Sequence, residues 1–116
     1  EERQEWLDNA ASQIEEIDLK KTVYIKKGAF SDCKNLKHIS FLNGYNLSAS
    51  AFANCTELTT AVFGTTKGHF ADNNTIFYNC DKLTFYCGED SEAYNYAQIY
   101  DIPCNTININ VVDDIA

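Results

Sequence analysis

A short phrase with the pattern Ala-Phe-x-x-Cys-x-x-Leu recurs along this chain and limits what the chain can fold into. It occupies residues 29–36 and 51–58, and a looser copy with Ile in place of Ala occupies 76–83. The cysteines of the copies are Cys33, Cys55 and Cys80, so the period is 22 and then 25 residues. One unit of this length cannot bury its own apolar face. The period therefore predicts a stacked solenoid.

Apolar residues extend the repeat towards the N-terminus. Shifting back by 22 residues from the first copy finds apolar residues at three matching positions: Ile14, Ile17, Leu19. This first unit lacks the Phe and the Cys, as a terminal capping repeat commonly does. We therefore expect a single domain over 1–116. Its expected parts are a degenerate repeat, three further repeats and a C-terminal cap: 7–28, 29–50, 51–75, 76–88, 89–116.

Each unit contains a segment that predicts a strand. Leu-x-x-Ile-x-Phe ends in period-two alternation, the pattern of a strand with one buried face. Stacking places these strands side by side as a parallel sheet, near the following ranges: 14–19, 36–41, 58–63, 83–87. The Ala-Phe-x-x-Cys portion predicts a short helical turn on the opposite side. The expected fold class is thus α/β, a right-handed solenoid.

Two segments depart from the repeat. Residues 64–75 are polar and contain glycine, which predicts a bulged loop. After the repeats, Ser91 is a good N-cap for a helix over 92–100 with Tyr96 and Ala97 facing inward. A final strand is expected to begin at residue 102 and to cover the sheet edge, because a solenoid must hide its terminal cross-section. Alternation at three later positions extends this strand: Ile107, Ile109, Val111.

The repeat resembles the BspA-type leucine-rich repeat, whose units run apolar-x-x-x-Ala-Phe-x-x-Cys-x-x-Leu-x-x-Ile-x-Phe. The Ser91 helix and the following Ile102-Pro103 also resemble the usual ending of that family. The resemblance implies a leucine-rich-repeat solenoid, usually exported or attached to a cell surface, with a role in adhesion or protein recognition and no shared active site. The sequence departs from the family pattern at three positions: Asp72, Cys87, Cys104.

The cysteines fall into two groups. Cys33, Cys55 and Cys80 follow the repeat, so we expect one buried column of reduced, unligated thiols that act as small hydrophobes. No Cys-x-x-Cys pair is present, and we expect no metal and no cofactor. Cys87 and Cys104 lie outside the period. If the last strand pairs beside the final repeat, a disulfide there would close a loop worth ~3 kcal/mol, but two free thiols fit the sequence equally well.

The outward strand positions are the candidate binding residues, because solenoids generally bind across the concave face of the sheet. They are Glu16, Asp18, His38, Ser40, Thr60, Val62. The next strand continues the row at Thr84, although either Phe85 or Tyr86 can point inward there. Neither histidine has a carboxylate or cysteine at nucleophile or ligand spacing, and no pair of carboxylates suits hydrolysis. We therefore expect a chain that is not an enzyme.

Charge and hydropathy restrict the partners. The net charge of −8 argues against binding to nucleic acid or to an anionic membrane surface. No run of 18 apolar residues is present, so membrane insertion is not expected. The first residue is Glu and no export segment follows it, which predicts a mature exported protein or a slice of a longer array.

Two functions fit the sequence and its resemblance. The first is a non-catalytic protein-recognition or adhesion module of a bacterial surface or secreted protein, located outside the cell or at its surface. Its partner would be a protein, such as a host or bacterial surface protein. The alternative is a structural spacer, or the terminal segment of a longer repeat array, with no ligand of its own.

Overall fold

A computed structural model describes residues 13–109 of the chain. The strands and the helix follow one another in this order: β1 Glu16–Leu19, β2 Val23–Ile25, β3 His38–Phe41, β4 Tyr45–Leu47, β5 Thr60–Phe63, β6 Gly68–Phe70, β7 Thr84–Cys87, α1 Glu92–Ile99, β8 Cys104–Thr106. No helix in this described part of the chain is both long enough and apolar enough to cross a bilayer.

The strands form two parallel sheets on different sides of the solenoid. The larger sheet has the order β1-β3-β5-β7-β8, and the smaller one has the order β2-β4-β6. Each coil adds one strand to the larger sheet, and the repeat strands align without slippage across β1, β3 and β5. The predicted parallel solenoid is confirmed, and all four repeat strands lie inside the predicted ranges.

The smaller sheet was not predicted from the sequence. Its strands have three residues each, which is too short for a period-two pattern to be recognised. β6 also lies inside residues 64–75, where the prediction of a loop is wrong for the segment 68–70. Gly68 was interpreted as a loop signal, but a Cβ at this position would overlap the ring of Tyr45 on the neighbouring strand. The glycine is required by packing inside a strand.

The repeated Ala-Phe-x-x-Cys segments form hydrogen-bonded turns opposite the larger sheet, where short helical turns were expected. Their bonds join residues three apart, as in the Ala51 N–H that donates to the Ser48 carbonyl at 3.2 Å. The residue before each cysteine has a left-handed backbone, with φ of 63° at Asp32, 61° at Asn54 and 64° at Asn79. Asp and Asn tolerate this region better than other non-glycine residues, which explains their recurrence at this position of the motif.

Aromatic side chains stack along the inside of the solenoid. Phe52 lies between Phe30 and Phe77, with ring centroids 5.4 Å away on each side and nearly parallel planes. A second series runs along the larger sheet from Phe41 to Phe63, whose centroids are also 5.4 Å apart. Repetition of one motif therefore places the same ring above itself in each coil.

Residues 89–109 close the C-terminal end as predicted. The Ser91 hydroxyl accepts a hydrogen bond from the Tyr94 N–H at 3.1 Å and so caps α1. Tyr96 and Ala97 are buried, and β8 pairs in parallel with β7 along the sheet edge. The last strand begins two residues later than predicted, because the Ile102 N–H donates to the Ala97 carbonyl of α1 at 2.9 Å and Pro103 has no N–H to donate.

The predicted extension of this strand is not found. β8 ends at Thr106, so Ile107 and Ile109 do not belong to it, and Val111 lies outside the described residues. Ile109 instead reaches back to Gly88, where a Cβ would collide with its side chain. The apolar alternation at 107–109 therefore serves packing against the loop after β7.

Candidate functional site

The predicted binding residues lie together on the outward side of the larger sheet, in two rows that cross neighbouring strands. The first row pairs Glu16 with His38 and His38 with Thr60, and the second pairs Asp18 with Ser40 and Ser40 with Val62. We call this surface the outer sheet face. It also includes three residues that continue the rows: Thr84, Tyr86, Asn105.

The N-terminal end of the outer sheet face is acidic. Glu16 and Asp18 are exposed, and the Ser40 hydroxyl donates to the Asp18 carboxylate at 2.6 Å. The Lys20 ammonium lies 3.9 Å from the other oxygen of Asp18, and both side chains are solvated. Exposed ion pairs of this kind contribute little to stability. These carboxylates therefore remain accessible to a partner.

The opposite end of the face carries an aromatic residue that the sequence left undecided. Phe85 is fully buried and Tyr86 points outward beside Val62. The repeat motif was misleading here because the last coil has one residue fewer between its motif cysteine and its strand. Thr60 pairs with Thr84, which is 24 residues further on, although the motif cysteines of these coils are 25 apart. Alternation of Phe85 with Cys87 was the signal that could have assigned Tyr86 to the surface.

Ion pairs between successive coils border the strand starts. Lys37 lies 3.9 Å from Glu15, and Lys82 donates to Glu57 at 2.8 Å. The hydrogen bond from Lys82 and its positive charge lower the pKa of the Glu57 carboxyl. Each pair joins one coil to the next, so these charges are already matched within the molecule.

The motif cysteines are buried in the interior, away from the outer sheet face. The Cys55 thiol donates to the Phe30 carbonyl at 3.2 Å, and the Cys80 thiol donates to the Phe52 carbonyl at 3.1 Å. Burial raises the pKa of Cys33 to about 11, and a hydrogen bond with Cys80 together with burial raises the pKa of Cys55. The thiols of Cys33 and Cys55 therefore stay protonated at neutral pH, where a protonated thiol is a poor nucleophile and a poor metal ligand.

The two histidines lie in different sheets. His38 belongs to the outer sheet face, and His69 points outward from β6 in a row with Asn46 and Tyr24 on the smaller sheet. This second polar row was missed because its strands were not predicted. Within residues 13–109, no group of three or more His, Cys, Asp or Glu side chains could hold a metal ion.

A surface hollow of about 490 Å³ lies where the chain leaves β7 and β8. Its lining includes the adjacent carboxylates Glu89 and Asp90, together with Thr66 and Ile107. No histidine, cysteine or lysine belongs to this lining, so the two carboxylates have no acid, base or nucleophile of a different type beside them. The hollow has the chemistry of a solvated turn region.

Comparison with known proteins supports one assignment. The model of the BspA type leucine-rich repeat region matches residues 5–87 with six copies. No match is found among curated proteins or among solved structures. The matched segment covers well over half of the chain and includes the coils described above. The chain therefore belongs to the BspA-type leucine-rich repeat family.

Proposed function

We propose that this chain is a non-catalytic protein-recognition or adhesion module of a bacterial surface or secreted protein. It acts outside the cell or at its surface, as is typical of the family. The binding residues are those of the outer sheet face, and the whole chain over 1–116 is proposed to act as a single domain with the repeat boundaries given above. Its partner is a protein, and neither nucleic acid nor a membrane takes part.

One observation carries this proposal: the outer sheet face is an ordered array of side chains that do not fill the core. The inward residues of the same strands, such as Ile39 and Phe41, fill the core, whereas their outward neighbours are exposed or half-buried. Parallel strands are about 4.8 Å apart, so four of them present a row about 14 Å long. A rigid array of this length suits a protein segment.

The chemistry of the face changes along this row and indicates what would fit it. Glu16 and Asp18 form an acidic end, while Val62 and Tyr86 form a small apolar patch at the other end. Tyrosine is enriched among residues that dominate binding energy, and opposite charges direct the orientation of a partner. We therefore expect a partner segment with a basic residue at one end and an aliphatic or aromatic residue at the other.

The proposal is tested with two lysine substitutions at tyrosines on different sides of the solenoid. Tyr86→Lys places a charge in the apolar patch, whereas Tyr78→Lys places the same charge on the turn side, where Tyr78 is 58% exposed. Immobilised extracellular-matrix and bacterial surface proteins are used as probes in surface plasmon resonance. We expect binding by the intact chain, a loss of at least about tenfold for Tyr86→Lys, and unchanged binding for Tyr78→Lys.

Other outcomes would contradict the assignment. Equal loss in both variants would place the contact elsewhere or indicate a general effect of charge. Failure of the unmodified chain to bind any probe would favour the alternative, a structural spacer or terminal segment of a longer array. The small number of aromatic residues on the face is the observation that keeps this alternative open.

A further inference from the structure

Two cysteines that do not follow the repeat meet at the C-terminal end of the solenoid. Cys87 is the last residue of β7 and Cys104 is the first residue of β8, and they are 17 residues apart in sequence. Their sulfur atoms lie 2.9 Å from each other. The pairing of Phe85 with Cys104 places the two thiols diagonally across adjacent parallel strands.

We propose that Cys87 and Cys104 are a site of covalent modification, at which oxidation forms a disulfide that joins the cap to the last coil. The residues do not belong to the outer sheet face, so this inference is independent of the proposed binding function. A disulfide requires two sulfurs that can approach without movement of the backbone. The separation of 2.9 Å between the two sulfur atoms shows that they already approach closely on the existing backbone.

The reaction needs an oxidant, and the class we propose is a small-molecule disulfide such as glutathione disulfide. Cys104 is partly exposed, so its thiolate attacks one sulfur of the oxidant, forms a mixed disulfide and releases one glutathione thiolate. Cys87 then loses its proton and attacks the Cys104 sulfur, which releases the second glutathione. Two thiols are oxidised to one disulfide, and one glutathione disulfide is reduced to two glutathiones.

The different environments of the two thiols explain this order. Cys87 is fully buried. Burial and, to a smaller extent, the hydrogen bond with Cys104 raise its pKa to about 12. A thiol of this kind is not the first to ionise or to attack the oxidant in neutral solution. It reacts only after Cys104 carries a leaving group within reach, when the second step has become intramolecular.

The bond would enclose the whole of α1. Tyr96 of this helix lies 4.6 Å from Phe70 and 6.3 Å from Phe85, centroid to centroid, and covers the end of the aromatic core. The disulfide would limit separation of α1 and β8 from the last coil and would reduce the entropy of the unfolded chain. Oxidation would thus stabilise the part of the molecule that closes the solenoid.

The motif cysteines serve as an internal comparison. Their thiols are buried, and those of Cys55 and Cys80 donate to the Phe30 and Phe52 carbonyls of the preceding coil. An oxidant in solution does not reach them in the folded protein. Cys33→Ala is therefore a matched control that removes one thiol from the interior and leaves the proposed pair intact.

The experiment treats the folded, reduced protein with glutathione disulfide, alkylates the remaining thiols after unfolding, and maps the peptides by mass spectrometry. We expect a cross-linked peptide pair that contains Cys87 and Cys104, loss of two hydrogens in the intact mass, and three alkylated cysteines. The oxidised protein should have a Tm higher by about 10 °C than the reduced protein. Cys104→Ala should abolish this difference, and Cys33→Ala should retain it.

Three results would overturn the inference. These are a stable glutathione adduct on Cys104 without an internal bond, cross-links that involve the motif cysteines of the folded protein, and an oxidised form with an unchanged Tm. Circular dichroism of Cys104→Ala checks that this variant is folded. If it is not, Cys104→Ser replaces it in the same comparison.

Discussion

The coils, residues 14–87, and the cap, described here over residues 89–109, bury their aromatic residues in different ways. In the coils Phe52 repeats one contact on both sides, with Phe30 and Phe77 at the same 5.4 Å. In the cap a single ring, which has no equivalent in another coil, contacts rings of several elements. Tyr96 lies between 4.6 and 6.4 Å from four rings, centroid to centroid: Phe70, Phe77, Phe85, Tyr100.

This difference has a consequence for stability. A solenoid is stabilised by contacts between neighbours, so each coil supports the next and the interior contacts are numerous and alike. The cap has no second copy, and it must cover a whole cross-section with one helix and one strand. We therefore expect loss of the cap to affect association of the molecule, and single changes in the coils to affect its free energy of unfolding.

The largest effect is expected from removal of residues 89–116. This deletion uncovers Phe85 and leaves β7 as an open edge, because β8 no longer pairs with it. An open apolar edge recruits other chains. We expect aggregation or dimerisation, measured by light scattering on the purified fragment beside the intact chain. A soluble, folded monomer would show that the segment is an appendage and would remove the distinction between coils and cap.

Within the coils, Phe52→Ala should cost about 3–5 kcal/mol in the free energy of unfolding, because a fully buried ring is replaced by a cavity. The matched control is Phe30→Ala, which truncates the same stack where it is half-buried. Urea denaturation of both variants gives the difference. Equal costs would mean that position within the stack does not matter and that the coils behave as one undivided core.

Cys55→Ala should cost roughly 1–2 kcal/mol, since it leaves a small cavity and removes the thiol that donates to the Phe30 carbonyl. Under reducing conditions the comparison is Cys104→Ala in the cap, where the side chain is only partly buried and the cost should be smaller. Fast labelling of Cys33, Cys55 and Cys80 in the folded protein would contradict the assignment of a buried, reduced column.

The larger sheet could be predicted from the sequence and the smaller sheet could not, and the reasons are physical. Ile39 and Phe41 alternate inside a four-residue strand, so their burial and the parallel sheet could be predicted. In the smaller sheet each strand has one outward residue, which is too little for a pattern. Gly68 was misread because a glycine can mark a loop or a close contact, and only the position of Tyr45 distinguishes the two.

The candidate site could likewise be predicted where the repeat is regular, but not where its spacing changes. The six predicted residues of the outer sheet face lie in the regular coils, where the 22-residue register passes unchanged from β1 to β5. The repeat register did not assign Tyr86, because the last coil has no residue between Leu83 and β7, whereas the preceding coil has Thr59 between Leu58 and β5. A change of one residue moves a side chain to the other face of a strand.

A smaller effect is expected from Tyr96→Phe, which keeps the aromatic contacts of the cap and removes only the hydroxyl. That hydroxyl donates to the Asn73 carbonyl at 2.8 Å and so joins α1 to the loop after β6. Loss of one hydrogen bond of this kind costs about 1 kcal/mol. Tyr24→Phe is the control, because Tyr24 is 64% exposed and should change stability little. If Tyr96→Phe leaves the free energy of unfolding unchanged, the aromatic contacts of this residue hold the cap without the hydrogen bond.

The smallest effect is a loss of stability at alkaline pH. It arises from a buried thiol in the interior of the coils. Burial raises the pKa of Cys33 to about 11, whereas a cysteine in the unfolded chain ionises near 8.5. The folded state therefore favours the neutral thiol, and this stabilisation is complete below about pH 8.5 and is lost as the pH rises to 11. At pH 9 the loss should be about 0.8 kcal/mol for this residue. Urea denaturation under reducing conditions at pH 7 and pH 9 should thus show a smaller decrease for Cys33→Ala than for the unmodified chain. Parallel decreases in the two proteins would show that the Cys33 thiol is no harder to ionise in the folded coil than in the unfolded chain.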